Sequence, residues 1–219
     1  MSSARFLTRI QDSLRASAIF AVLSCLLCLG NAPAAHADEA AYYIAPQALR
    51  VSFQMGYSEK SPERNFPVKS PLGKFTSASG GFRYDPSTMT LTGLRLIISS
   101  GSIATSDKSF TWKLLGPDMF DVNNFEEIAL DNVHPITFVD GQATINARIS
   151  ILGRPKPLTM TAKLSLPKDG SSAEKTKLVG LTLRGTILCE DYNMQAKDNI
   201  GRSLGDQISF LFDMQGTRQ

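Results

Sequence analysis

The sequence predicts an all-β protein: an eight-stranded antiparallel β-barrel with a short helical segment around residues 113–120. Apolar and polar residues alternate with period two in several segments, which gives each predicted strand one apolar and one wet face. Residues that favour turns separate these segments. Short links between strands with one apolar face are typical of an antiparallel sheet.

Eight strands are predicted in order along the chain, at 49–57, 73–84, 89–99, 127–139, 142–151, 156–166, 177–189 and 206–215. The sixth is the clearest, because Leu158, Met160 and Leu164 alternate with Thr159 and Lys163. Asp140-Gly141 predicts the tightest turn, since both central residues of a two-residue hairpin require positive φ. We interpret Gly80-Gly81 as a bulge or kink that curves the sheet.

A barrel is favoured over a sandwich by the length of the strands. An antiparallel sheet must cover its apolar face, and closure also removes the exposed edges. Several predicted strands have about ten residues and would span about 33 Å, which is long for a sandwich. Residues 100–126 break the alternation, and Lys113-Leu114-Leu115 and Asp118-Met119-Phe120 predict a helical turn that caps one barrel end.

Residues 1–37 predict a cleavable secretion signal. Three basic residues (Arg5, Arg9, Arg15) precede an uncharged apolar run from Ala16 to Leu29, and Ala35-His36-Ala37 provides an A-x-A cleavage site. The apolar run is shorter than the ~20 residues of a spanning helix. An uncleaved anchor and lipoprotein processing at Cys25 are the alternatives. We therefore expect a periplasmic protein in which residues 38–219 form one domain.

Net charge and cysteine content limit the classes of partner and the means by which the domain is stabilised. Residues 1–37 hold three of the 23 basic and one of the 20 acidic residues, which leaves a net charge of about +1 on residues 38–219. That balance argues against nucleic acid or an anionic membrane surface as the main partner. Cys189 is the only cysteine after residue 37, so the domain has no internal disulfide and depends on its core.

Few residues carry reaction chemistry, and we expect no enzyme, no metal and no catalytic residue. His134 precedes a proline at a strand start and is interpreted as structural or exposed. Cys189 is interpreted as a small buried hydrophobe. The densest acidic cluster comprises Asp118, Asp121, Glu126 and Glu127; Asp118 would cap the helix and the others face water. An enzyme that uses this cluster or Cys189 is an alternative.

The chemical feature that remains is the set of apolar side chains on the strands, which would form an apolar barrel interior. Twelve side chains are predicted to face the barrel lumen: Phe53, Met55, Phe82, Leu96, Ile98, Phe138, Ile149, Met160, Leu164, Leu183, Phe210 and Phe212. An eight-stranded barrel is just wide enough to be filled by side chains or to hold one slender ligand. The residues alone leave a filled core and a ligand cavity equally open.

Three stretches, in their order and spacing, carry a family resemblance. They are Phe75…Gly80-Gly81-Phe82-Arg83-Tyr84-Asp85-Pro86, then Gly116-Pro117-Asp118-Met119-Phe120-Asp121-Val122 with the later Ile136-Thr137-Phe138, and finally Ile151-Leu152-Gly153-Arg154-Pro155-Lys156-Pro157-Leu158. Together they resemble the YceI-like family of exported lipid-binding barrels over roughly 43–215. The chain departs from the family pattern at Ala48-Leu49 and at 189–193, near the expected barrel ends.

The resemblance implies a lipocalin-like barrel whose lumen holds a polyisoprenoid, an isoprenoid quinone or a similar amphiphilic lipid, with no other cofactor. Mouth or lid candidates are Arg64, Phe120, Phe125, Lys197 and Arg202, and either residues 100–126 or the 191–205 loop would act as a lid. Storage or carriage would be the role, and a membrane protein that loads the ligand and a homodimer are left open. The alternatives are a filled-core structural or partner-binding barrel and a small outer-membrane β-barrel.

Overall fold

The computed structural model describes residues 39–59, 72–132, 134–167, 177–195, 197 and 204–219. The chain divides into two units, Met1–Ala37 and Asp38–Gln219, and every described residue belongs to the second. Among the described residues, no helix has the length and apolar character needed to cross a bilayer. The predicted signal, residues 1–37, lies outside the described residues.

The described residues form strands joined by one α-helix and two 3₁₀ turns. The strands are β1 (Ala40–Gly56), β2 (Leu72–Phe75), β3 (Ala78–Asp85), β4 (Thr90–Ser99), β5 (Ile103–Thr105), β6 (Glu127–Asn132), β7 (Ile136–Thr137), β8 (Gln142–Ile151), β9 (Arg154–Ser165), β10 (Leu178–Leu188) and β11 (Gln207–Arg218). The helix α1 covers Lys108–Leu115, and the 3₁₀ turns cover Ser100–Ser102 and Cys189–Tyr192.

The strands make one closed antiparallel barrel of eight strands, as the sequence predicts. Its order is β1-β3-β4-β6-β8-β9-β10-β11, and β11 pairs with β1 to close the ring. The three short strands extend this ring: β1 pairs with both β2 and β3, β2 pairs with β5, and β4 pairs with both β6 and β7. Brief interruptions therefore divide two of the eight predicted strands, 73–84 and 127–139, in two, and β5 lies in the segment 100–126, for which no strand is predicted.

Closure depends on β1, which pairs with β11 over nearly its whole length. The register runs from Tyr42 opposite Arg218 to Gly56 opposite Gln207, with an irregularity between Ile44 and Leu49. Because a closed sheet leaves no long edge, its backbone donors and acceptors are paired around the ring.

The apolar faces of the strands are buried and the polar faces are exposed. On β8, for example, Ile145, Ala147 and Ile149 are buried, whereas Asn146 and Arg148 are exposed. Among the described residues, the buried polar or charged side chains are Asp85 and Ser100 alone. The period-two pattern therefore places an apolar core inside the barrel.

Two tight hairpins have left-handed residues in their turns. Asp140 and Gly141 have φ values of 51° and 72°, which confirms the turn between β7 and β8. Leu152 and Gly153 join β8 to β9 with φ values of 53° and 67°. A left-handed conformation is unusual for leucine, and the two-residue connection requires it at this position.

The predictions for the first strand and for the helix need correction. The first strand begins at Ala40 rather than at residue 49. The helix spans 108–115 rather than 113–120, and its N-cap is Asp107, whose side chain accepts hydrogen bonds from the backbone N–H groups of Ser109 and Phe110. Pro117 lies just beyond the C-cap Gly116, so the helix does not reach Asp118, and the capping role predicted for Asp118 is wrong.

Gly80-Gly81 is not itself the bulge. The register moves from Gly81 opposite Arg95 to Arg83 opposite Thr92, so the extra residue lies on the facing strand β4, where Gly93 has a φ of 59°. The glycine pair instead allows neighbouring strands to approach. A Cβ at Gly80 would lie 2.3 Å from the carbonyl oxygen of Arg95, and one at Gly81 would lie 2.8 Å from that of Tyr42.

We expect Gly80→Ala to lower the free energy of unfolding by about 2 kcal/mol, because the obstructing atom belongs to the backbone. Gly101→Ala is the matched control, since a Cβ there meets no atom within 4 Å, and it should change stability by less than about 0.5 kcal/mol. Urea unfolding of both variants measures the difference. Equal stability of the two variants would contradict the close approach.

Candidate functional site

Three long connections gather at one end of the barrel, here called the lid end. They are 57–71 after β1, 106–126 after β5 and 189–206 after β10. The strand register places them together, because Gln207 is opposite both Gly56 and Leu188, and Gly73 is opposite both Phe53 and Thr105. The described residues that begin and end these three connections therefore lie at the lid end.

All twelve side chains predicted to line the lumen are buried in the apolar interior. They are distributed over β1, β3, β4, β8, β9, β10 and β11, with Phe138 just after β7. Their contact with a ligand stays a prediction.

An aromatic cluster closes the interior at the lid end. The ring of Phe120 lies 5.9 Å from that of Phe75 and 6.4 Å from that of Phe53, and the Phe53 and Phe75 rings are 5.5 Å apart. Phe120, which belongs to the 106–126 connection, is therefore buried against the barrel interior. Phe75 is absent from the predicted site, although its alternation with Gly73 on the second predicted strand would have placed it inside.

Phe125 occupies a different position in the same connection. It is half-buried beside Gly153, and a Cβ at that glycine would lie 3.2 Å from the Phe125 ring. The Ser100 side chain donates a hydrogen bond to the Phe125 carbonyl, and the Ser100 N–H donates to the Glu126 carbonyl at 2.8 Å. The buried Ser100 thereby fixes the end of the connection against the 3₁₀ turn after β4.

The 106–126 and 189–206 connections contact each other directly. The N–H of Gln195 donates to the Asp118 carbonyl at 2.8 Å, and Lys113 Nζ donates to the Lys197 carbonyl at 3.1 Å. A cavity of about 330 Å³ lies between the connections, with Phe110, Leu114 and Met119 on one side and Gln195 and Leu204 on the other. A second cavity of about 540 Å³ lies alongside and is lined by Cys189, Met194 and Asp206, among others.

Asp206 fastens the start of the 57–71 connection to the entry of β11. Its carboxylate accepts hydrogen bonds from both the N–H and the hydroxyl of Ser58, and its own N–H donates to the Gly56 carbonyl at 2.9 Å. Gln207 adds a side-chain hydrogen bond to the Tyr57 carbonyl at 3.1 Å. The sequence prediction missed Asp206, since nothing local to residue 206 indicates a partner 148 positions away.

Two predicted mouth residues, Arg64 and Arg202, lie outside the described residues. Lys197 is exposed, and its backbone carbonyl accepts the Lys113 hydrogen bond. Of the predicted mouth or lid residues that the structure describes, Phe120 and Phe125 thus belong to one connection and Lys197 to the connection bonded to it.

Buried hydroxyl and thiol groups at the lid end have high pKa values. Burial, aided by the negative charge of Asp206, raises the pKa of the Cys189 thiol to about 12. Burial and the Asp191 charge raise the pKa of Tyr192 to about 12. The Tyr192 hydroxyl donates a hydrogen bond of 3.4 Å to the Ile149 carbonyl. Cys189 is therefore a protonated core residue at neutral pH, in line with its interpretation as a small hydrophobe.

The side chains of the predicted acidic cluster are exposed or half-buried. Asp118, Glu126 and Glu127 are exposed, and both carboxylate oxygens of Asp121 accept from the Asn124 amide at 3.0 Å. His134 is exposed as well. Within the part of the chain that the structure describes, no group of three or more His, Cys, Asp or Glu side chains is placed to hold a metal ion.

These features define a class of protein: a closed antiparallel barrel with an apolar interior and paired connections across one end. Residues 42–216 match the YceI-like domain family, and the chain belongs to that family. A search among curated proteins gave no match.

Solved structures with this fold have low sequence identity to the chain. BcnA of Burkholderia cenocepacia is 15% identical with a TM-score of 0.62, covering 80% of this chain and 99% of its own. The YCEI protein of Campylobacter jejuni is 17% identical with a TM-score of 0.60, covering 75% and 91%. A polyisoprenoid binding domain from Saccharophagus degradans, described as implicated in plant cell wall breakdown, is 10% identical with a TM-score of 0.54, covering 82% and 99%.

The raised pKa of Cys189 predicts a loss of stability at alkaline pH. The folded state keeps a proton that the unfolded thiol, with a pKa near 9.0, releases. The free energy of unfolding should therefore fall as the pH rises from about 9 towards 12, and Cys189→Ala should fall less over this interval. Urea unfolding at about pH 8 and about pH 11 measures both slopes. Equal losses in the two proteins would contradict a buried protonated thiol.

Proposed function

We propose that this protein is a periplasmic, non-catalytic carrier that holds a long apolar ligand in its barrel lumen. The ligand class is a polyisoprenoid, an isoprenoid quinone or a similar amphiphilic lipid. The observation that carries the proposal is the closed barrel whose buried face is apolar along every strand.

The physical basis is transfer of a hydrocarbon chain out of water. Each buried methylene contributes roughly 0.8 kcal/mol, so a chain of about ten buried carbons would be held tightly. Met55 and Met160, which are both buried, have flexible side chains that adapt to chains of different shape. The Saccharophagus degradans neighbour, described as a polyisoprenoid binding domain, supports the same ligand class.

The lid end is the proposed entrance. The aromatic cluster of Phe53, Phe75 and Phe120 would part or shift to admit the chain, and the polar end of the ligand would remain near Lys113 and Lys197. In the part of the chain that the structure describes, two hydrogen bonds join the 106–126 and 189–206 connections, and we expect these to break on opening.

The distribution of polar and apolar faces disfavours an outer-membrane barrel. Such a barrel turns its apolar faces outward to lipid, whereas here Thr159, Thr161 and Lys163 are exposed and the apolar residues between them are buried. Export to the periplasm is supported by the basic, apolar and A-x-A order of residues 1–37. Cell fractionation with N-terminal sequencing tests the location and the cut after Ala37.

Native mass spectrometry of the protein purified from its own compartment tests for a ligand. We expect a stoichiometric excess mass that extracts into an organic solvent and fragments as a prenyl or acyl chain. A mass equal to that of the polypeptide, unchanged after incubation with isoprenoid quinones, would contradict the proposal and favour a filled barrel that acts through its surface.

Gly185 offers a test of where the ligand lies. A Cβ at Gly185 would point into the interior, 2.9 Å from the Cγ and 3.2 Å from the Cε of Met160. Gly185→Val should therefore fold, because Met160 can move, while occupying lumen volume and lowering isoprenoid quinone binding by about tenfold, the effect of roughly two methyl groups.

Gly180→Val on the same strand is the matched control. A Cβ at Gly180 would meet the backbone and Cβ of Ser165, whose side chain is exposed. We expect this variant to bind the quinone as the unmodified protein does. Quinone titration of both variants, with urea unfolding to verify folding, measures the effect. A similar loss of affinity in both would place the ligand elsewhere.

A further inference from the structure

The most exposed aromatic side chain of the described residues lies at the lid end. Trp112 is 74% exposed and sits in α1, within the 106–126 connection. Leu72, 65% exposed, begins β2 at the same end of the barrel. Exposed large apolar side chains adjoining a binding-site entrance mark a surface that meets another apolar phase or partner.

The helix α1 has two different faces. Phe110 and Leu114 are buried and cover the barrel end, and Phe110 lines the 330 Å³ cavity. Lys108 and Trp112, one turn apart, are exposed on the opposite face. The same short helix therefore seals the interior on one side and presents an indole beside a cation to the surroundings.

Although residues 38–219 are nearly neutral overall, the helix α1 itself has a positive net charge. The helix contains Lys108 and Lys113 and no acidic residue, and Lys74 is exposed next to Leu72 on β2. The acidic residue beside the helix, Asp107, directs its carboxylate to the N–H groups of Ser109 and Phe110. A tryptophan flanked by lysines matches an anionic lipid surface, where the indole occupies the headgroup level and the cations face lipid phosphates.

We propose that the outer face of α1, with Leu72, docks the lid end on an anionic phospholipid bilayer. This inference rests on the proposed carriage of an apolar ligand, since such a ligand resides in a bilayer when it is not bound. Docking at the lid end lets the chain pass between bilayer and lumen without crossing water, which would expose its whole apolar surface.

The single tryptophan makes the test direct. Trp112 is the only tryptophan of the 219 residues, so tryptophan emission reports this site alone. The full chain is expressed, and the purified protein is mixed with vesicles of equimolar phosphatidylethanolamine and phosphatidylglycerol. We expect the emission to shift to shorter wavelength, and to shift less with phosphatidylcholine vesicles of equal lipid concentration.

Charge reversal supplies the matched pair of variants. Lys108→Glu replaces a favourable positive charge beside Trp112 with an unfavourable negative one and should lower vesicle partitioning by at least roughly tenfold. Lys163→Glu changes the same charge on the outer wall of β9 and should leave partitioning unchanged. Emission that does not respond to vesicles, or equal losses in the two variants, would overturn membrane docking.

Isoprenoid quinone binding is measured on the same samples without vesicles. Intact quinone binding together with unresponsive Trp112 emission rejects the docking surface and leaves the carrier proposal standing. A vesicle-dependent shift with no quinone binding supports the docking surface and rejects the carrier proposal.

Discussion

The pairing of β1 with β11 is the constraint on which the rest of the structure depends. An open sheet of this composition would leave one apolar face in water and two edges of unpaired backbone groups. The β1–β11 register hides the apolar face inside a ring and satisfies both edges. Since Cys189 is buried and free, no disulfide involves the described residues, and apolar burial with backbone pairing holds the barrel.

The two ends of the barrel differ in a way that bears on function. Phe53, Phe75 and Phe120 fill the lid end, and polar contacts among the connections lie outside this cluster. At the opposite end Tyr42 stacks on Phe82, with ring centroids 5.3 Å apart, and the strands there pair directly. Loops open more readily than paired strands, and this difference is the reason that the lid end is proposed as the entrance.

Most of the barrel could be predicted from the sequence because the period-two alternation continues across short interruptions of a strand. The segment 127–139, for example, contains β6 and β7, which pair with the same strand β4. The first half of β1 was missed because Ala45-Pro46-Gln47 breaks the alternation where the register with β11 becomes irregular. The helix was misplaced although Asp107, Phe110 and Leu114 carry a cap and an i, i+4 apolar pair. The role of Asp206 depends on a distant partner and has no local signal.

The central claim, that the apolar interior holds a lipid chain, is tested most directly by photocrosslinking. An isoprenoid carrying a diazirine on its tail would be bound and irradiated, and the labelled residues identified by peptide mass spectrometry. We predict labels on buried strand residues such as Ile149, Met160 and Leu183. Labels confined to exposed wall residues such as Thr161 or Arg184 would contradict the claim.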